Sequence, residues 1–254
     1  MESNPSGRTL VLLRHGHSAA NGADTVSGWL DVPLSRRGYR EAARAGVLLA
    51  EHGCRPDFVH TSVLTRAVRT ADLALAELGP PGPPVRRSWR LNERHYGALQ
   101  GRTRDGLRAE YGAEQYALWR RSYRQAPPPL PVESPDDPRL DHRYAALPVA
   151  ELPRTESLAD VRTRLVPYWD DAIAPDLRAG RTTLVVAHGN SLRALCMHLD
   201  ALTEGQVALL EIPTGVPLRY DLDADLRPVV PGGTYLDPVA GVGALDVHSQ
   251  DGAR

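Results

Sequence analysis

The sequence predicts a single α/β domain with three layers, in which helices flank a mostly parallel central sheet. Short apolar runs alternate along the chain with segments of helical periodicity, which is the pattern of β–α–β connections. The most apolar run, residues 183–187, is continuous and partly β-branched, as expected of a central parallel strand. With 254 residues and no repeat of fixed period, the chain is long enough for one large domain, 1–254.

The first part of the chain supplies three predicted strands and two predicted helices. The strands are expected at residues 10–13, 57–60 and 85–89. A polar loop over 16–34 leads to Ser35, a suitable N-cap, and Gly53 ends the helix that follows. Apolar residues at helical spacing predict the second helix over 64–75.

The remainder is interpreted as an insertion followed by the rest of the core. Residues 97–151 hold two predicted short helices and a proline-rich loop, with no apolar core pattern of their own, so we interpret them as an insertion. The later predicted elements are a helix from 158 to about 180, the strand 183–187, a helix over 192–199 and a strand at 217–222. Residues 231–254, rich in glycine, alanine and aspartate, are predicted to form a mobile tail.

Composition argues against several classes of function. The formal net charge is −1, so no overall field favours nucleic acid or an anionic membrane. The sequence has no apolar run of membrane-spanning or signal-peptide type, which predicts a cytoplasmic protein. Cys54 and Cys196 lack metal-ligand spacing, so neither a metal site nor a disulfide framework is expected. All 30 basic residues are arginine, so an arginine at one position is weak evidence that arginine is needed there.

Two predicted strands end in similar polar motifs, Arg14-His15-Gly16 and His188-Gly189-Asn190. Ligands of open α/β sheets bind at the carboxyl ends of strands, so neighbouring strands would bring both histidines into one crevice. Arg14, with Arg66 from a following helix, could clamp a tetrahedral anion there. A neutral imidazole can attack phosphorus, and a second, protonated imidazole can stabilise charge on the phosphoryl oxygens. The alternative for either histidine alone is a hydrogen-bonded loop residue.

Phosphoryl transfer also needs a group that gives a proton to the leaving oxygen and takes one from the attacking oxygen. Glu93 is the candidate, because it lies in a polar cluster with few competing acids, soon after a predicted strand. The alternative is a surface carboxylate paired with Arg94.

These residues fall in a set of motifs that spans the chain. The motifs are Leu13-Arg14-His15-Gly16, Ser27-Gly28-Trp29, Thr61-Ser62 with Arg66-Ala67, the run 92–101, Trp119-Arg120-Arg121 and the run 187–195. From about residue 9 to about 237 the chain resembles the 2,3-bisphosphoglycerate-dependent phosphoglycerate mutases, members of the histidine phosphatase superfamily. The Arg-His-Gly motif alone indicates only the superfamily, whereas the run 92–101 and the arginine pair are specific to the mutases.

The resemblance implies a role for each matching residue. His15 would become the phosphohistidine, His188 would stabilise the transition state, and Glu93 would be the general acid and base. Arg14 and Arg66 would hold the phosphoryl group. The residues implied to bind the phosphate and carboxylate of the substrate are Asn21, Ser27, Gly28, Arg94, Tyr96, Arg104, Arg120, Arg121, Gly189 and Asn190.

The resemblance also implies a phosphoglycerate mutase-like fold and the interconversion of 3-phosphoglycerate and 2-phosphoglycerate in glycolysis and gluconeogenesis. It implies 2,3-bisphosphoglycerate as the primer that phosphorylates His15, no metal, and a homodimer or homotetramer. A mutase must shield its phosphohistidine from water, and residues 97–151 and the tail after Gly232 are available to do so. The alternatives are a phosphatase or mutase for another small phosphorylated acid, and a non-catalytic phosphometabolite-binding protein, for which Glu93 would have no use.

Three positions depart from the family pattern. His17 stands where the family usually has glutamate, Ala20 where tryptophan is common, and Arg104 where the family has a substrate-binding lysine. Arg104 is the least unexpected in a chain without lysine, although its forked guanidinium requires an adjusted pocket. His17 and Ala20 are either tolerated loop changes or a change of specificity toward a different phosphorylated acid.

Overall fold

In a computed structural model, which describes residues 7–241, the strands of the chain form one six-stranded sheet. They are β1 (Arg8–Arg14), β2 (Phe58–Thr61), β3 (Val85–Arg87), β4 (Thr183–Ala187), β5 (Leu218–Leu222) and β6 (Thr234–Tyr235). The spatial order is β3-β2-β4-β1-β5-β6. Strands β1 to β4 are parallel, while β5 runs antiparallel to β1 and β6 antiparallel to β5. The prediction of a mostly parallel sheet is confirmed.

Helices follow most of the strands along the chain. They are α1 (Ala19–Gly22), α2 (Arg36–Glu51), α3 (Thr65–Ala76), α4 (Arg104–Tyr111), α5 (Ala113–Arg121), α6 (Leu158–Tyr168), α7 (Ala174–Arg178), α8 (Gly189–Leu199), α9 (Glu204–Leu209) and α10 (Pro238–Gly241). Ser35 caps α2 as predicted, since its hydroxyl accepts a hydrogen bond from the Gly38 N–H. Within residues 7–241, none of the helices combines the length and the apolar character needed to cross a bilayer.

The two faces of the sheet bury separate apolar cores. Leu10 and Leu12 of β1 face a core that includes residues of α6 and α8, while Val11 and Leu13 face a second core with residues of α2 and α3. This alternation follows from the two-residue side-chain period of a strand. Both faces of the sheet are covered, so the three-layer prediction is confirmed.

The predicted insertion contains α4 and α5 near its start. Its buried apolar side chains Leu99, Leu107 and Tyr116 cluster with Val26 from the loop after β1. The insertion therefore shares a small core with that loop, which explains why its own sequence shows no complete core pattern.

Several elements differ from the sequence prediction. Helix α1 lies within the predicted loop 16–34, and α9 and β6 were not predicted. Each has six residues or fewer, too short to display a periodic pattern. The predicted helix 158–180 is interrupted between α6 and α7 by a π-helical turn, Trp169–Ile173. Pro175 at the start of α7 has no N–H to donate to residue 171, so regular α-helical bonding cannot continue there.

The segment predicted as a mobile tail begins with ordered structure. Strand β6 pairs with β5, and Leu236 is buried in the core that contains Val11. The prediction of a tail starting at 231 is corrected to this extent. Residues 242–254 lie outside the described residues.

Candidate active site

The carboxyl ends of β1 and β4 lie side by side. The register pairs Arg14 with Ala187, and the His15 N–H donates to the Ala187 carbonyl at 3.0 Å. The two strands thereby bring His15 and His188 to one edge of the sheet, with ring centroids 4.9 Å apart. The strands are neighbours, as the predicted crevice requires.

The ring of His15 is held in one orientation and one tautomer. Its Nδ1 lies 2.8 Å from the Gly16 carbonyl oxygen, which can only accept, so Nδ1 carries the proton. Nε2 therefore carries the lone pair. Burial, and then the positive charges of Arg66 and Arg14, hold the pKa of His15 well below its usual range. The ring is neutral at neutral pH, the state that a nucleophile needs.

His188 is the N-cap residue of α8 and is fully buried. Its Nε2 is 2.7 Å from the Ser62 hydroxyl, while Nδ1 is buried with no hydrogen-bond partner. Burial, followed by the charge of Arg66, holds the pKa of His188 well below its usual range. Without an anion beside it the ring is therefore neutral, and the protonated state expected from the sequence requires a negative charge close to it.

Arg14 and Arg66 give the crevice positive charge. Arg66 is fully buried and donates to the carbonyls of Gly28 and Leu30, at 2.7 and 2.9 Å. Arg14 donates to the Ile212 carbonyl at 2.7 Å. Burial lowers the pKa of Arg66 to about 10, which leaves it charged at neutral pH. The Nε–H groups of both guanidiniums are buried without partners, and such donors suit an anion.

Glu93 enters the same cleft from the segment after β3. Its Oε1 accepts from the backbone and side-chain N–H groups of Asn190, at 3.2 and 2.9 Å, and from the Arg94 N–H at 2.7 Å. Its Oε2 lies 3.7 Å from the position of a Cβ built on Gly189. Glu93 is 8% exposed, and the Arg94 guanidinium stacks on Tyr96 instead. The alternative of a surface carboxylate paired with Arg94 is wrong.

A buried ion pair that the sequence did not reveal fixes the backbone at Glu93. Arg164 on α6 and Glu156 are joined by an Nε–Oε1 contact of 2.7 Å. Arg164 also donates to the Glu93 carbonyl at 2.9 Å, and Glu156 accepts from the His95 N–H at 2.7 Å. The Trp29 indole N–H donates to the same Glu93 carbonyl at 2.6 Å. Side chains from two separate segments, the loop after β1 and the α6 region, thus hold the backbone that carries the carboxylate.

The cleft collects most of the residues predicted for the site. Those that line it are Arg14, His15, Asn21, Ser27, Gly28, Glu93, Tyr96, Arg104, Arg120, Arg121, Gly189 and Asn190. His188, Arg66 and Arg94 are fully buried rather than part of its lining. The lining residues that the sequence interpretation missed are Thr25, Val26, Tyr116, Arg193, Glu211 and Ile212.

Three half-buried arginines from α4 and α5 form what we call the cleft mouth: Arg104, Arg120 and Arg121. Arg104 pairs with Asp24 at 2.5 Å, and Arg121 pairs with Glu211. The Arg120 guanidinium makes no hydrogen bond or ion pair with any residue of the described chain. The cleft mouth therefore combines two arginines that have carboxylate partners with one, Arg120, that has none among the described residues.

Two departures from the family pattern lie outside the cleft lining. The His17 ring contacts the Ser35 hydroxyl at 2.9 Å through Nδ1, and Ala20 is buried in α1. Next to them, a Cβ on Gly16 would come 2.4 Å from the Gly38 carbonyl oxygen, so the loop packs backbone to backbone against α2. His17 thus belongs to the packing of this loop. Direct contact of its ring with a substrate is not supported.

The charged cleft differs from a metal centre. Among the residues described, no three or more His, Cys, Asp or Glu side chains are grouped so as to hold a metal ion. The ionisable side chains that line the cleft are the His15 imidazole, several guanidiniums and the carboxylates of Glu93 and Glu211.

Sequence comparisons associate the chain with a family. The family model for the histidine phosphatase superfamily (branch 1) matches residues 10–147 and 138–223. A protein of Thermobifida fusca named 2,3-bisphosphoglycerate-dependent phosphoglycerate mutase is 57% identical, covering 96% of this chain and 99% of that protein. Proteins of the same name from Clavibacter sepedonicus and Mycobacterium leprae are each 56% identical, over 96% and 93% of this chain and 97% and 95% of their own lengths.

Solved structures share the fold at lower identity. A mycobacterial glucosyl-3-phosphoglycerate phosphatase complexed with VO3 is 26% identical with a TM-score of 0.68, covering 89% of this chain and 100% of that chain. A protein described as mycobacterial hydrolase 1 is 25% identical with a TM-score of 0.67, covering 89% and 99%. The chain is thus similar in fold to a phosphatase and closer in sequence to named mutases.

Proposed function

The chain belongs to the histidine phosphatase superfamily, and within it to the 2,3-bisphosphoglycerate-dependent phosphoglycerate mutases, and we propose that it interconverts 3-phosphoglycerate and 2-phosphoglycerate through a phosphohistidine at His15. This reaction belongs to glycolysis and gluconeogenesis. The observation that carries the proposal is the pair His15 and His188 sharing one cleft with Glu93, in a chain more than half identical to named mutases.

In the first half-reaction, Nε2 of His15 carries the phosphoryl group and the free hydroxyl of 3-phosphoglycerate attacks its phosphorus. Glu93 Oε2 takes the hydroxyl proton as the new P–O bond forms. The P–N bond breaks and its electron pair returns to Nε2. Glu93 suits this role because the hydrogen bonds to Oε1 fix its orientation.

In the second half-reaction, the bisphosphorylated molecule has turned so that its other phosphate faces His15. The Nε2 lone pair attacks that phosphorus, and the P–O bond breaks toward the leaving oxygen. Glu93 returns its proton to that oxygen, which gives 2-phosphoglycerate and phospho-His15 again. The tautomer set by the Gly16 carbonyl keeps the lone pair on the reacting nitrogen.

We assign charge stabilisation to His188, Arg14 and Arg66. A phosphoryl dianion beside His188 raises the pKa that burial lowers, so the ring gains its proton when the anion arrives. The buried Nε–H groups of the two arginines are available to the equatorial oxygens. Because the ring of His188 gains its proton only beside an anion, the free enzyme does not carry a third positive charge next to Arg14 and Arg66.

Holding the rest of the substrate is assigned to the other predicted residues. Arg104, Arg120 and Arg121 at the cleft mouth suit its second anionic group. Tyr96 is placed by the Asn190 side chain, at 3.0 Å, and by the Arg94 guanidinium over its ring. The remaining predicted contacts are those of Asn21, Ser27, Gly28 and Gly189, all of which line the cleft.

The cleft also fits 2,3-bisphosphoglycerate, the primer in the names of the relatives. Its two phosphates would be held by Arg14 and Arg66 at the buried end and by Arg120 at the mouth. When bound, this molecule supplies the phosphoryl group that His15 carries. Each chemical step is assigned to a side chain, so we propose that no metal is used, which assays after exhaustive chelation with EDTA would check.

The proposal is tested by incubating the protein with 2,3-bisphosphoglycerate and 3-phosphoglycerate and following 2-phosphoglycerate and free phosphate together. Formation of 2-phosphoglycerate well in excess of free phosphate is the expected result. Release of phosphate without the isomer would favour the alternative of a phosphatase, the activity named for one structural neighbour. Binding with neither product would favour a non-catalytic binding protein.

Two further expectations stay predictions. We propose a homodimer or homotetramer, which sedimentation analysis would check. We also propose a cytoplasmic location, as expected for an enzyme of central carbon metabolism, which cell fractionation would check.

A further inference from the structure

A carboxylate stands among the arginines of the cleft mouth. Within the described residues, Glu93 and Glu211 are the acidic side chains that line the cleft, and Glu211 pairs with Arg121. Glu211 is 40% exposed and Arg121 33% exposed, so the pair is accessible from the cleft. The residue after Glu211 is Ile212, whose carbonyl holds Arg14.

The negative charge of Glu211 would repel an anionic ligand in this cleft. Burial raises the pKa of Glu211, but the hydrogen bond and charge of Arg121, with the charges of Arg120 and Arg193, lower it overall. Glu211 is therefore ionised at neutral pH. Its carboxylate occupies donors of Arg121 that a substrate carboxylate or phosphate would otherwise use.

We propose that Glu211 acts as an internal competitor, which occupies Arg121 in the free enzyme and yields it to an anionic group of the substrate. The inference rests on the proposed function for the identity of that substrate. Glu211 thereby lowers the affinity of the cleft for phosphoglycerates and favours their release. It is a specificity-determining residue that touches the binding machinery and takes no part in proton transfer.

The chain offers a matched control. Arg124 and Glu204 form an ion pair at 2.6 Å that joins the same two parts of the chain, the end of α5 and the region of α9. Neither residue lines the cleft. Glu204→Gln removes a carboxylate of the same kind from the same neighbourhood without changing the charge inside the cleft.

The test is an equilibrium titration of the unphosphorylated protein with 3-phosphoglycerate, monitored by isothermal titration calorimetry. Glu211→Gln is nearly isosteric and should lower the dissociation constant about fivefold to tenfold, as expected for removal of a partly screened opposing charge. The KM should fall in parallel, with no increase in kcat. Glu204→Gln should match the wild type. An unchanged or larger dissociation constant for Glu211→Gln would overturn the inference and make Glu211 a residue that positions Arg121.

A double-mutant cycle sharpens the test. Arg121→Gln should weaken binding more in the Glu211→Gln background than in the wild type, because only there is Arg121 free to bind the ligand from the start. An equal effect in both backgrounds would contradict competition. Thermal unfolding midpoints confirm that each variant is folded.

The binding test is separable from the test of the proposed function. If 3-phosphoglycerate binds and tightens in Glu211→Gln but is not isomerised, the proposed function fails and the inference stands. If isomerisation occurs but binding is not tightened, the inference fails alone. A wild-type protein that binds no 3-phosphoglycerate would overturn both.

Discussion

The two ends of the cleft are built in opposite ways. At the buried end, His15, His188 and Arg66 are at most 4% exposed and are held by backbone carbonyls and by Ser62. At the mouth, Arg104 and Arg121 are about a quarter to a third exposed and are held by carboxylates. The buried end keeps its donors oriented with neutral partners, whereas the mouth keeps its cations partly neutralised.

The difference matches what each end must do. A fixed, water-poor environment strengthens electrostatic interactions with a reacting phosphoryl group, because nothing has to reorganise during the reaction. At the cleft mouth, product release is easier when water and internal carboxylates can replace the contacts between the arginines and the product. Substitutions at the buried end should therefore affect kcat most, and substitutions at the mouth should affect affinity.

The largest expected effect is at His15, the proposed nucleophile. His15→Ala should abolish transfer of labelled phosphate from 2,3-bisphosphoglycerate to the protein and lower the mutase rate by at least about 10⁴-fold, since no other group can take its role. His17→Gln is the matched control, because His17 lies two residues away and outside the cleft lining. Labelled phosphate retained by His15→Ala would show that another residue is the phosphate acceptor.

Next in size is the effect at Glu93, the proposed proton-transfer group. Glu93→Gln keeps the shape and most hydrogen bonds but cannot accept a proton, so kcat should fall about 10²- to 10⁴-fold while the affinity for 3-phosphoglycerate changes little. Steady-state kinetics measure the two separately. Glu133→Gln, an exposed glutamate of the insertion, should behave as the wild type. A Glu93→Gln variant that loses affinity with unchanged kcat would show that Glu93 contributes to substrate binding rather than to proton transfer.

The ion pair behind Glu93 should show a mixed effect. Arg164→Met leaves Glu156 buried and unpaired, which costs about 3–5 kcal/mol in free energy of unfolding. It also frees the Glu93 backbone, so kcat per folded molecule should fall roughly tenfold to a hundredfold with KM nearly unchanged. Denaturant unfolding and kinetics measure the two effects. Arg162→Met on the same helix is the control. A rate loss that merely follows the folded fraction would make Arg164 purely structural.

The smallest expected effect concerns pH and stability. Burial, followed by the charge of Arg164, lowers the pKa of His95 to about 3, while the unfolded chain has an ordinary histidine pKa of about 6.5. Between these values the unfolded state binds the extra proton. The stability contribution is therefore complete above pH 6.5 and is lost as the pH falls below it, by about 1.4 kcal/mol per pH unit for this residue.

His95→Gln should therefore flatten the dependence of unfolding free energy on pH between about 6 and 4.5, as measured by urea denaturation. His142→Gln is the control, because the side chain of His142 is 95% exposed. The same slope in wild type and His95→Gln would show that His95 titrates alike in both states. Acid sensitivity would then arise from other residues.

The sequence predicted the buried end better than its surroundings. His15 and His188 follow strands whose apolar runs are unmistakable, and parallel pairing of those strands places the two rings together. The neutral state of His188 was not predictable, because it depends on burial and on the charges of Arg66 and Arg14, which only the folded chain brings together.

Arg164 and Glu211 show why other residues of the site could not be predicted from the sequence. In the sequence of an amphipathic helix, a buried arginine cannot be told from a solvent-facing polar residue. Because all basic residues of this chain are arginine, the residue type at position 164 does not mark it as buried either. Glu211 lies about ninety residues from Arg121, so no local pattern links them. The short elements α1, α9 and β6 were missed for a different reason, since two to six residues define no period.

The small cluster of Val26, Leu99, Leu107 and Tyr116 has a consequence for how the cleft is supported. It anchors α4 and α5 apart from the two large cores of the sheet, so the cleft mouth and the strand ends rest on separate packing. The fold thus gives separate support to the proposed reacting groups and to the arginines of the cleft mouth.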